Sequence, residues 1–237
     1  MISVCIATYN GAGWILEQLD SIIPQLSEGD EIVVSDDGST DDTLARIRSL
    51  NNPLIRIVDG PVSRSPIYNF ENALRHAKGD IIFLADQDDR WVDNKVEVML
   101  KALEKYDCVV SDCYVTNSKM EITYNSFYAV NKTHRGRLYN LLCKNGYLGC
   151  CMAFNRKVLE RVLPFPPNLP MHDIWIGNIA AYYFSVCFIP EPLIYYRRHG
   201  HTTSVSGSKS TYSLLQKLKF RINVIPPLLA ARYRKKR

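Results

Sequence analysis

An α/β fold with a mostly parallel central sheet flanked by helices is what this sequence predicts, with a basic amphipathic helical segment at its C-terminal end. Three observations lead there. Short apolar, β-branched runs alternate with segments of helical periodicity over residues 1–105, the order that produces parallel strands joined by crossover helices. The 237 residues are 46% hydrophobic and 22% charged, enough to bury a core and unlike collagenous, coiled-coil or disordered chains. Charge is distributed unevenly: residues 1–191 hold 18 basic against 24 acidic residues, whereas residues 192–237 hold eleven basic and no acidic ones. An acidic body with a basic end suits an anionic partner at that end.

The elements follow in order. Ile2–Thr8 reads as a first strand rather than a signal peptide, because no basic region or cleavage site precedes it. Tyr9-Asn10-Gly11 ends that strand, and Trp14, Ile15, Leu19, Ile22 and Ile23 recur at helical spacing over 14–26. Glu31–Ser35 is a strand, Asp36–Thr40 a polar turn, Asp41–Leu50 a helix and Leu54–Val58 a strand. Ile67–Ala77 is a third helix, and Asp80–Ala85 is an apolar strand of the kind covered on both faces. Val92–Lys105 is an amphipathic helix, with strands expected over Cys108–Val115 and Glu121–Val130. Tyr147–Phe154 reads as a strand, Arg156–Leu163 as a helix, and Pro164, Pro166, Pro167 and Pro170 force an extended loop. Asp173–Phe184 is helical, Val186–Ile189 and Leu193–Arg197 are two short strands, and a basic helix spans Lys209–Asn223 ahead of Pro226-Pro227. Seven cysteines without a CxxC pair suggest neither a disulfide framework nor a zinc ribbon, but reduced thiols and a cytoplasmic setting.

In open α/β sheets ligands bind beyond the carboxyl ends of the strands. Three polar clusters fall there: Thr8-Tyr9-Asn10, Asp36-Asp37-Gly38-Ser39-Thr40 and Asp86-Gln87-Asp88-Asp89. Two carboxylates separated by one residue can aim oxygens at one divalent cation, Mg²⁺ or Mn²⁺, which in turn grips a diphosphate. Without the cation two acids would repel that anion. Taken singly, Asp36-Asp37 reads first as a solvated turn with Asp41 or Asp42 as the helix N-cap, and Asp86-Gln87-Asp88 lacks the glycine and distal glutamate of an EF-hand.

Together the segments Ser3–Gly11, Ile32–Asp41 and Phe83–Trp91, in this order, resemble family 2 glycosyltransferases of the GT-A fold, a Rossmann-like nucleotide-diphospho-sugar transferase architecture. Asp86-Gln87-Asp88-Asp89 followed by Trp91 and Lys95 is most similar to the rhamnosyltransferase-like branch that builds bacterial surface polysaccharides such as O-antigen. Gly149–Asn155, Pro164–Pro166, Met171–Trp175 and Tyr195–Gly200 resemble that branch's later motifs. The resemblance covers about residues 1–205 and implies a nucleotide-sugar-binding half (1–111) and an acceptor-binding half (112–205), leaving 206–237 as a basic tail.

It implies an inverting, metal-dependent transfer from a nucleotide-diphosphate sugar, a dTDP- or UDP-sugar with dTDP-rhamnose favoured, to a saccharide acceptor carried on a polyprenyl diphosphate. UDP-hexose or UDP-N-acetylhexosamine transfer, or a catalytically silent scaffold, are the alternatives. Thr8, Tyr9, Asn10, Asp36, Asp37, Asn69, Asp86 and Gln87 would bind the nucleotide sugar, and Asp86, Asp88 and His199 the metal. Arg197 and Arg198 would meet the diphosphate, and His172 and Trp175 would form an acceptor platform. Asp173, near a helix start that favours its charged form, would be the catalytic base.

The tail interleaves Leu214, Leu215, Leu218, Phe220 and Ile222 with Lys217, Lys219 and Arg221, a composition that can lie on an anionic membrane surface and make the protein peripheral on the inner face of the cytoplasmic membrane. The acidic body, with no recognisable reading motif, argues against nucleic acid as a partner.

Overall fold

The computed structural model describes residues 1–199 and 213–233. The first half alternates as predicted: β1 (Ile2–Thr8), α1 (Ile15–Ile22, extended by a 3₁₀ turn to Gln25), β2 (Glu31–Asp36), α2 (Thr43–Ser49), β3 (Ile55–Asp59), α3 (Pro66–His76) and β4 (Ile81–Asp86). Then come β5 (Arg90–Trp91), α4 (Lys95–Leu103), β6 (Cys108–Thr116), β7 (Ile122–Tyr124), α5 (Phe127–Asn131), α6 (Arg137–Leu142), β8 (Met152–Asn155), α7 (Arg156–Val162), α8 (His172–Tyr183), β9 (Val186–Arg197) and α9 (Leu214–Ala230).

One sheet runs β3-β2-β1-β4-β8-β6-β9-β5, with β7 on β6. β3, β2, β1 and β4 are mutually parallel, as are β6 and β9, whereas β8 lies antiparallel between β4 and β6. Both faces of the central strands are covered, so Val4, Cys5, Ile6, Ile32, Val33, Val34, Phe83 and Leu84 have no exposed surface. This is why those strands read as continuous apolar runs rather than alternating ones. Register then places the site: Thr8 pairs with Asp36 and Ala7 with Asp86, so the two acidic loops emerge on either side of the end of β1.

The second half departs from expectation in four places. Glu121–Val130 is not one strand: β7 is three residues long, and Ser126 caps α5 by accepting a hydrogen bond from Ala129 N. The apolar run at 147–154 folds as a 3₁₀ turn, Gly149–Cys151, before β8, because burial alone makes such a run apolar whichever backbone it takes. The two strands expected over 186–197 are one strand whose register against β6 shifts after Ser111.

The C-terminal helix continues through Pro226 and Pro227 to Ala230. Its buried Val224 and Leu228, with Ala231 just beyond, pack on the body. Tyr183 Oη donates to Leu228 O and Arg161 Nη1 to Ala231 O. Tertiary contacts thus offset the two backbone N–H groups that proline removes. From Arg221 onward the segment is part of the body's packing, while the start of the helix expected at Lys209, the boundary at 206 and the basic residues Arg234–Arg237 lie outside the described residues. Among the described residues no helix is long and apolar enough to cross a membrane.

Candidate active site

The loop after β2 is tied down by its own neighbours. Asp36 Oδ1 accepts from Thr8 Oγ1 at 2.9 Å and Ser39 Oγ at 2.6 Å, and Oδ2 accepts from Ser39 N at 2.8 Å. Asp37 accepts from the amides of Ser63 (2.8 Å) and Ser65 (3.0 Å), drawing in the segment that leads to α3. Gly38, at φ +81°, supplies the left-handed turn between them. Asn10 caps the same loop by accepting from Thr40 N at 2.9 Å. Buried Asn69 donates to Thr8 O at 3.1 Å, and its Oδ1 lies without a protein partner behind the three loops. Tyr9 and Gln87 exchange a reciprocal pair, Tyr9 N to Gln87 Oε1 (3.0 Å) and Gln87 Nε2 to Tyr9 O (3.1 Å). The Gln87 amide therefore laces the β1 and β4 loops together, while the Tyr9 ring lies 5.9 Å under the Arg64 guanidinium.

The loop after β4 is built differently. Asp86, partly buried, is pushed up to about 8 by burial and then by the neighbouring charges of Asp88 and Asp173. Fully buried Asp89 is also raised by burial and by those of Asp88 and Asp86, although Arg197 N donates to its Oδ1 at 2.9 Å. Asp88 Oδ2 lies 2.8 Å from His199 Nε2, and both side chains are partly open to solvent. Asp173, second residue of α8 and 6% exposed, is pushed up to about 7 by burial, despite accepting from Ile174 N at 2.6 Å and Asn145 Nδ2 at 3.4 Å. Residues 84 or more positions apart in sequence thus form one desolvated acidic centre.

Its chemistry fits a divalent cation. Like charges crowded in a dry site are stabilised by a metal between them. Among the described residues, Asp86, Asp89 and Cys150 place ligand atoms within 4.8 Å of one another. Burial holds the Cys150 thiol protonated, and hard cations select oxygen, so the carboxylates are the members of this group that suit one, with the more open Asp88–His199 pair on the same loop beside them.

Three residues read from sequence as ligand contacts sit elsewhere. Trp175 has no exposed surface and donates its indole N–H to Val162 O at 2.9 Å, so it is a core residue and not a sugar platform. His172 is 6% exposed, its ring packs on Phe70 with centroids 4.1 Å apart, and burial pushes it down to about 3. It is a neutral packing residue behind Asp173 rather than an open acceptor surface. Gly149 makes room for it, since a Cβ there would lie 2.6 Å from His172 Nε2. Arg197 is 3% exposed and its guanidinium is consumed by Glu17, Asp88 O and Ser118 O, leaving no face for a diphosphate. Arg198, partly exposed, keeps that possibility.

Sequence reasoning gave no role to Glu17, Trp14, Asp89, Asn145 or Lys95. Lys95 is fully buried, with Nζ donating to Cys150 O at 3.3 Å and lying 5.0 Å from the Trp91 ring. A lone lysine on the apolar face of a helix beside Val96 and Met99 was the signal for it.

Comparison with known proteins places this geometry. The model of the family described as Glycosyl transferase family 2 matches residues 3–163. A UDP-Glc:α-D-GlcNAc-diphosphoundecaprenol β-1,3-glucosyltransferase, WfgD of Escherichia coli, is 25% identical over 191 residues, covering 76% of this chain and 72% of its own. The dTDP-rhamnosyl transferase RfbG of Shigella flexneri is 27% identical over 211 residues, covering 81% and 71%. Among solved structures, S. aureus TarS 1–349 with UDP-GlcNAc superposes with a TM-score of 0.69 at 19% identity, over 97% of this chain and 66% of that one. The chain thus spans about two thirds of the length of that structure and somewhat more of the two curated relatives. Two further solved neighbours of the same fold, with TM-scores of 0.64 and 0.59, hold Mn²⁺ with GDP-Man or UDP.

Proposed function

The chain belongs to glycosyl transferase family 2, and from that premise we propose that it is an inverting, metal-dependent enzyme of GT-A fold. It moves a sugar from a dTDP- or UDP-sugar, dTDP-rhamnose first, to a saccharide on a polyprenyl diphosphate in bacterial surface-polysaccharide synthesis. The observation that carries this reading is the convergence of Asp173 on the loop of Asp86 and Asp88: a base candidate and a cation site share one desolvated centre. The loops of Thr8-Tyr9-Asn10 and Asp36-Asp37 border the same strand ends and are shaped to receive the base and ribose, with Asn69 and Gln87 holding them in place.

In the proposed reaction the acceptor hydroxyl oxygen bonds to the anomeric carbon from the face opposite the diphosphate, the carbon–oxygen bond to the diphosphate breaks, and the hydroxyl proton passes to Asp173. Asp173 is poised for this because a base of pKa about 7 is about half ionised at neutral pH and still basic enough to accept the proton. Asp88, His199 and Asp86 would hold Mn²⁺ or Mg²⁺, whose chemistry is to offset charge on the departing diphosphate. Arg198 is the cationic side chain that remains for the same anion.

The lipid-linked acceptor brings a membrane role for the C-terminal segment. α9 exposes Ile222 and Leu229, with Tyr233 beyond it, and Arg221 caps the end of α6 by donating to Leu142 O and Cys143 O. α6 itself exposes Leu138 and Leu142. Flotation with vesicles containing anionic lipid, weakened in Ile222→Asp/Leu229→Asp, supports this role, and equal flotation argues against it.

The deciding test is thermal stabilisation by dTDP, UDP and GDP, each with and without Mn²⁺, on the wild type and on Asp88→Ala. A metal-dependent shift with dTDP or UDP that the variant loses supports the reading. No shift with any nucleotide overturns it.

A further inference from the structure

We propose that Arg197 is the positioning residue of the cation site, a bracket that fixes the Asp88-Asp89 backbone against the strand end bearing His199. This rests on the reading of Asp88 and His199 as cation ligands. Each donor of Arg197 is directed. Its backbone N–H goes to Asp89 Oδ1 (2.9 Å), Nε to Asp88 O (2.7 Å), Nη1 to Ser118 O (2.9 Å) and Nη2 to the Glu17 carboxylate. The guanidinium also lies 4.5 Å from the centroid of the Trp14 ring, and that ring stacks on His199 at 5.3 Å with a 17° interplanar angle. One side chain thereby joins four segments: the start of α1, the loop after β4, the turn after β6 and the end of β9.

The consequence concerns geometry rather than charge delivered to substrate. Asp88 and His199 are 111 positions apart; the antiparallel pairing of Arg90 with Tyr195 brings their two segments side by side, and Arg197 fixes the ends that run on past that pair. Arg197 holds the carbonyl of one, sits two residues before the other, and shares Trp14 as a common wall with the latter's imidazole. Residues that orient metal ligands typically change metal affinity 10- to 100-fold when altered. Lysine cannot replace this arginine, because three divergent N–H directions are used at once and an ammonium on a flexible stem does not reproduce the fork.

The test is Mn²⁺ affinity, read from the electron paramagnetic resonance of free Mn²⁺ in the presence of UDP or dTDP, with circular dichroism as the check on folding. Arg197→Lys should weaken Mn²⁺ roughly 10- to 100-fold while nucleotide binding without metal is unchanged. Glu17→Gln, at a side chain 43% exposed, should stay folded and weaken Mn²⁺ in the same direction by a smaller factor. If Arg197→Lys fails to fold, Glu17→Gln decides. Wild-type Mn²⁺ affinity in the folded variants overturns the bracket and leaves the cation site standing. Absence of Mn²⁺ binding by the wild type overturns both.

Discussion

The two acidic loops flanking β1 have similar composition and opposite environments. After β2, Asp36 and Asp37 together accept five hydrogen bonds, from Thr8, Ser39, Ser63 and Ser65, and the protein completes the loop by itself. After β4, Asp86 and Asp89 are driven toward their neutral forms by burial and by each other's neighbours. The first loop is a finished scaffold, while the second is short of positive charge. A binding site needs both: one rigid wall, and one wall whose energy is lowered only when the ligand arrives.

The comparison can be broken in several ways. The largest effect belongs to chemistry: Asp173→Asn should lower sugar transfer by about 10²- to 10⁴-fold, the usual contribution of a positioned base, with donor binding retained. Radiolabelled donor turnover against calorimetric nucleotide affinity separates the two.

Next come stability changes of opposite sign. Asp37→Ala leaves the amides of Ser63 and Ser65 without acceptors and should cost about 1–3 kcal/mol, visible as a lower melting temperature at every pH. Asp86→Asn should raise it near pH 9 and leave it almost unchanged at pH 4. The sign follows from linkage: the folded pKa of about 8 exceeds the unfolded value, so the native state binds more protons and wild-type stability falls as pH rises from about 4 to 8. Removing the carboxylate removes that loss.

Cation binding sharpens the same contrast, because a metal must displace the proton of Asp86. Mn²⁺ affinity should therefore rise between pH 6 and 8 with proton release on binding, measured by calorimetry in buffers of different ionisation enthalpy. A stability loss of the same order as that of Asp37→Ala is expected from Gly149→Ala, whose Cβ would press on His172 and cost about 1–3 kcal/mol by overpacking, read as a lower melting temperature.

The same contrast separates what could be read from the chain. The first half was legible because parallel strands covered on both faces leave unbroken apolar runs, and because the polar residues that follow them stand in order at strand ends. The second half was not, since β6, β8 and β9 pair antiparallel with partners distant in sequence and its apolar runs fit strand or turn alike. Trp175 and Arg197 show the limit at single residues. Both stood near residues of the right chemistry, and only packing reveals that one indole is sealed against Val162 and one guanidinium is spent on Glu17, Asp88 and Ser118.

By itself the sequence determined the α/β class, the strand ends that carry the polar loops and the identity of the acidic clusters, because hydrophobic period and loop chemistry are local properties. The tertiary structure decided which carboxylates are starved of partners, which arginine is structural, and that Asp173 meets Asp86 across 87 positions. Burial and long-range charge depend on what folds against a residue, and no local pattern contains that.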